Sequence, residues 1–113
     1  MAASAVRCKP RMIDEANLRR RANSANARAR KFGAVGTITW QDIADALVAA
    51  QGRCQNEGCS RPFGGPHGRF RDQWVISFVI PLSHGGPCCR ANMRIIWRLC
   101  EMRRTHELGV RWI

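Results

Sequence analysis

The chain has 113 residues and a formal net charge of +11, from 19 Lys and Arg against 8 Asp and Glu. That length allows one small domain with an extension and only a modest core, so a metal or a partner would help it fold. The charge implies a polyanionic partner, nucleic acid first, and the dominance of Arg over Lys suits phosphate forks and base edges.

Residues 1–10 have no periodicity and contain Pro10, which gives an irregular basic arm. Arg11 to Lys31 reads as a helix, with Asp14 and Glu15 in its first turn and Arg28, Arg30 and Lys31 in its last, matching the macrodipole at both ends. Gly33 is its expected stop. The apolar face is thin, Ile13, Leu18 and several Ala, so the helix needs a surface to lie on. Arg19, Arg20 and Arg21 form one basic cluster and Arg28, Arg30 and Lys31 a second; the functional reading is nucleic-acid contact, the plain one a solvated basic helix. Gly36 sits in a loop, and Thr39-x-x-Asp42 then spells a capping box ahead of Ile43, Ala46, Leu47 and Ala50 at helical spacing. Gln51-Gly52 ends that second helix.

Cys54 and Cys59 flank a tight turn, and a link rich in Gly and Pro runs from Arg61 to Phe70. Trp74 to Ile80 is apolar and rich in β-branched and aromatic residues, which predicts a strand. Pro81 ends it, and Leu82 to Pro87 is a loop by composition. A second short strand is expected at Met93 to Ile96. A helix then follows over Arg98 to His106, with Leu99, Met102 and His106 as its apolar spacing. The tail carries Val110, Trp112 and Ile113, to be packed on the domain or on a partner. The fold class is α+β, with a basic arm and helix over 1–33 and a domain over 34–113.

The chain carries six cysteines and no apolar run of signal-peptide or transmembrane length. The expected setting is intracellular and reducing, cytoplasm or nucleoid, where Cys is a metal ligand or buried thiol. The Ala- and Arg-rich residues 1–32 also suit an organellar transit peptide.

Residues 74–104 resemble the ββα core of the HNH endonucleases. The matching residues are Pro81-Leu82-Ser83, Gly85-Gly86, Asn92, Ile95, Ile96, Cys100 and Arg103-Arg104, and with the segment before Cys54 the resemblance runs from about Arg28 to Arg104. It implies a β-hairpin and helix preceded by two helices, a structural zinc held by two Cys pairs, and a divalent-metal phosphodiesterase centre. The chain departs at that centre. Ser77 and Phe78 stand where the family has Asp-His, Trp97 replaces a zinc-binding Cys, and Glu101 follows the second Cys. Phe78 has no titratable proton and Ser77 is a poor ligand for a hard cation, so no general base or complete Mg²⁺ site is in view. Asn92 matches the residue that braces the loop. His84 is read as a phosphate contact or loop residue, with a displaced base as the other reading.

Three zinc ligands match, Cys54, Cys59 and Cys100, and the fourth would be Cys88, Cys89 or His84. Two alternatives stand beside this: Trp97 filling the space with no metal bound, or a disulfide.

The functional expectation is a nucleic-acid-binding HNH-like module without catalysis, using Arg94, Arg98, Arg103 and Arg104 with the arm. It could serve as a structural subunit of a larger nucleoprotein assembly. The alternatives are an active endonuclease that uses Mg²⁺ with Glu101 and His84, and a protein-interaction subunit presenting Trp40, Trp112 and Ile113.

Overall fold

A computed structural model describes residues 14–63 and 73–108. The basic arm, the glycine-rich link and the C-terminal tail lie outside the described residues, and with them the readings placed on Ile13, Val110, Trp112 and Ile113.

Helix α1, Glu15–Lys31, starts one residue after Asp14. The Asp14 carboxylate accepts from Asn17 N, so Asp14 is the cap, not a first-turn residue. Leu18, Ala22, Ala25 and Ala29 form the buried stripe. Small side chains let the backbone approach the rest of the core closely, and the surface this thin face needs is the domain itself. At the far end the Gly33 N–H reaches Arg30 O and the Ala34 N–H reaches Ala29 O. Gly33 takes the left-handed φ of +69° that this paired closure requires.

Helix α2, Trp40–Ala50, opens on the expected capping box: Thr39 Oγ1 accepts from Asp42 N at 3.2 Å and Asp42 Oδ2 accepts from Thr39 N at 2.9 Å. Ile43, Ala46, Leu47 and Ala50 are its buried face, as the spacing predicts.

Strands β1, Trp74–Phe78, and β2, Met93–Trp97, pair antiparallel, with Trp74 opposite Trp97 and Phe78 opposite Met93. Strand alternation puts Trp74, Ile76 and Phe78 on one face with Met93 and Ile95, and Val75 and Ser77 on the other with Arg94. β1 stops at Phe78, two residues before the apolar run ends, and Val79 and Ile80 are exposed. Beyond Phe78 a side chain takes over from the ladder. Asn92 Oδ1 accepts from Ile80 N, and its Nδ2 donates to Ile80 O and Pro87 O. The loop between the strands folds into two short 3₁₀ turns, Leu82–His84 and Arg90–Asn92, instead of remaining irregular. Gly86 lets it close: a Cβ there would lie 1.8 Å from Ile80 O.

Helix α3, Arg98–Leu108, follows β2 without an intervening residue. Its orientation corrects the sequence reading. Leu99 and Met102 are each 57% exposed and His106 is exposed, whereas Thr105 is buried and Cys100, Glu101 and Arg104 are half-buried. The direct join to β2 limits rotation, and the partners of Cys100 and Glu101 fix it.

The three helices and the hairpin make a small α+β fold around one core. Trp74, Leu18, Ile43, Leu47, Ile95, Ile96 and Cys88 are its most deeply buried large side chains.

Candidate metal centre and basic cleft

The turn from Cys54 to Cys59 is pinned to β2 from both sides. Gln55 N donates to Ile95 O at 2.9 Å, and Gln55 Oε1 accepts from Ile95 N at 2.8 Å. Cys59 N reaches back to Asn56 O, and Gly58 supplies the positive φ that closes the turn. Helix α3 brings Cys100 to the same place. The three sulfurs lie within 4.8 Å of one another, and Cys54 Sγ and Cys100 Sγ are 3.9 Å apart. A tetrahedral zinc with metal–sulfur bonds of about 2.3 Å needs sulfurs about 3.8 Å apart. A disulfide needs about 2.05 Å, so these residues are free thiols at ligand spacing, not a bridge.

Backbone donors support negative charge on two of the sulfurs. Trp97 N donates to Cys54 Sγ at 3.2 Å. The Arg61 backbone N–H draws the Cys59 thiol below its ordinary range. Burial and the neighbouring Cys54 push the Cys100 thiol up to about 11, as expected where three sulfurs crowd with no cation. The site fits a thiophilic divalent ion, and Cys54, Cys59 and Cys100 would hold it, pinning the turn, β2 and α3 together.

The expected fourth ligands are elsewhere. Cys88 is fully buried with its Sγ against Asn26 Oδ1 of α1, and its N–H donates to Val35 O. Burial raises its thiol. Cys89 and His84 do not join the thiol group among the described residues, and His84 is exposed beside Ser83. Trp97 does not occupy a ligand position either. Its ring packs on Phe63 at 5.8 Å with the Arg61 guanidinium over it, and its Nε1 donates to Arg61 O.

The second constellation is built from β1 and the next residues of α3. Ser77 is 1% exposed and donates through Oγ to Glu101 Oε1 at 2.7 Å. Arg104 donates to Ser77 Oγ at 2.9 Å and to Val79 O at 2.6 Å, and its guanidinium lies 3.6 Å from the same Glu101 oxygen. Arg28 of α1 enters the same cleft, where burial lowers its pKa and Glu101 partly restores it. Phe78 is 5% exposed on the core face. The Glu101 carboxylate is thus committed to a hydroxyl and a guanidinium, and among the described residues it is the one acid lining the cleft, where a hard cation needs several oxygens.

The basic residues divide into two sets. Arg21, Arg28, Arg94 and Arg104 are built into the fold; Arg21, for example, stacks on Trp74 at 3.9 Å and donates to Trp74 O. Arg19 pairs with Glu15 on the surface. Arg20, Arg30, Lys31, Arg98 and Arg103 are exposed, and no carboxylate among the described residues pairs with them. Trp40 is half-buried under Arg19.

Sequence reasoning missed Asn26. Its amide bridges Ile38 N and O and meets Cys88, holding the segment before α2 against α1. Asn in a run of Ala and Arg gives no signal of that role. Among the described residues no helix is long and apolar enough to cross a membrane. No protein-family model, curated protein or solved structure matches the chain.

Proposed function

We propose that the chain is a nucleic-acid-binding module with an HNH-like ββα core, in which a structural network has replaced the cleavage centre and a zinc at Cys54, Cys59 and Cys100 braces the hairpin. The observation that carries this is the Ser77–Glu101–Arg104 network. Where the HNH resemblance puts an acid, a base and a cation, this chain has a closed set of hydrogen bonds around one carboxylate, with Phe78 in the core beside it. The loop brace through Asn92 and Gly86 supports the scaffold half of this reading.

Binding would fall to the exposed cations on α1 and α3, with Arg28 and Arg104 lining the cleft between them. Five exposed cations on phosphates would give log K against log salt a slope of roughly −4.5 on duplex DNA. The test is fluorescence anisotropy with labelled duplex DNA and RNA across a salt series. Replacing Arg98 and Arg103 by Gln should make the slope shallower by about two phosphate contacts. Binding that ignores salt sinks the reading. A protein partner that remains bound at high salt, with no nucleic acid, would support an interaction subunit instead.

A further inference from the structure

Resting on the zinc reading of the three thiols, we infer that the described residues fill three of the four ligand positions, and that the fourth is taken by a small anionic thiol from outside, in the pocket beside Cys100.

Two independent observations support this. First, no fourth sulfur, ring nitrogen or carboxylate oxygen joins Cys54, Cys59 and Cys100 among the described residues. Trp97, three residues before Cys100 at the end of β2, turns its ring to Phe63 and Arg61. A metal that prefers four ligands is left one short. Second, Cys100 opens onto a pocket of about 280 Å³ lined by Asn56 and Glu57 of the cysteine turn and by Arg94, Arg103 and Arg104. The Arg94 Nε is buried and has no hydrogen-bond partner among the described residues. Burial lowers the Arg94 pKa and Arg104 adds repulsion, while Glu101, Glu57 and Cys54 act in the opposite sense. The pocket therefore holds a partly buried guanidinium next to the ligand set.

Charge selects the ligand class. Zinc with three thiolates is a monoanion, and a fourth thiolate makes it a dianion, which needs nearby positive charge. Arg94 and Arg103 supply it; Arg104 is committed to Ser77 and Val79. A carboxylate on the incoming thiol would pair with Arg94. The thiol binds as thiolate and its proton goes to solvent, with no redox change and no covalent bond made or broken in the chain.

The test uses the full chain loaded with cobalt(II), whose absorption reports the number of sulfur donors, titrated with mercaptosuccinate or uncharged 2-mercaptoethanol. The expected starting spectrum is that of three thiolates and one lighter donor. Mercaptosuccinate should convert it to a four-sulfur spectrum at about tenfold lower concentration than mercaptoethanol, the worth of one charge-assisted hydrogen bond. Arg94→Gln should remove that preference. Cys8→Ser and His67→Ala should leave the starting spectrum unchanged. A four-sulfur spectrum before any thiol is added, or a change in either variant, means the chain provides the fourth ligand and overturns the inference. Equal response to both thiols, or none, overturns the role of the pocket. Failure to retain cobalt or zinc in equilibrium dialysis sinks the zinc reading itself, a separate result.

Discussion

Replacing Glu101 tests whether the cleft is a brace or a reaction centre. Its carboxylate accepts from Ser77 Oγ at 2.7 Å and lies 3.6 Å from the Arg104 guanidinium, with side chains 12% and 16% exposed. A hydrogen bond to a charged group is worth about 1.5–3 kcal/mol. Breaking a buried ion pair costs about 3–5 kcal/mol because the surviving charge is stranded. Here the ion pair is long and partly solvated, so Glu101→Ala should cost about 3 kcal/mol, near the lower end of that range. Glu101→Gln keeps the acceptor for Ser77 and loses only the charge, so it should cost about 2 kcal/mol. In a domain of this size a 3 kcal/mol loss lowers Tm by roughly 10–15 °C. The assay is thermal unfolding of zinc-saturated protein by circular dichroism, so that the thiol site is held constant. A Glu101→Gln protein as stable as the natural one, or more stable, would refute the reasoning. Acids kept for chemistry are commonly held at a cost to stability, and removing one relieves it.

Two further predictions concern the loop and the thiols. Gly86→Ala drives a Cβ into Ile80 O and crowds Asn92 Nδ2. It should cost about 3 kcal/mol, the upper end for overpacking, whereas Gly85→Ala meets open space and should cost about 1 kcal/mol for its positive φ; urea denaturation of both variants checks this. In metal-free protein, folding keeps Cys100 protonated up to about 11 against an ordinary 9.0, while the unfolded chain releases that proton earlier. Stability should therefore fall as pH rises from about 9 towards 11, with buried Cys88 adding to the loss. Cys59, whose thiol is drawn down, has the opposite sign and contributes its stabilisation above its lowered pKa. Zinc should remove most of this alkaline loss, and Cys100→Ser should reduce it; unchanged Tm across that window in metal-free protein would contradict the thiol geometry.

Local signals were legible and rotations were not. The Thr39–Asp42 box and the buried face of α2 depend on residues three and four apart, so sequence alone carries them. The same holds for the Gly33 closure of α1. The buried face of α3 was misread because the apolar spacing of Leu99 and Met102 lost to two long-range demands, Cys100 on Cys54 and Glu101 on Ser77. β1 ended early because Asn92, fourteen positions after Phe78, replaces the ladder with its own amide. The thiols Cys54, Cys59 and Cys100 were legible as ligands from spacing and resemblance, and they do converge. The fourth-ligand candidates were not, since nothing local places Cys88 against α1. Nor did composition separate the arginines built into the fold from those left exposed: Arg21 and Arg20 are neighbours in sequence, and only Arg21 has Trp74 to stack on.

The central claim is binding without cleavage on an HNH-like scaffold. It is tested most directly by plasmid nicking with Mg²⁺, Mn²⁺ or Zn²⁺, using the natural chain beside a Ser77→Asp, Phe78→His double variant. The account predicts that the natural chain retards the plasmid in a gel and leaves it intact with every metal, while the double variant nicks it. Nicking by the natural chain would contradict the account and send the search for the base to His84.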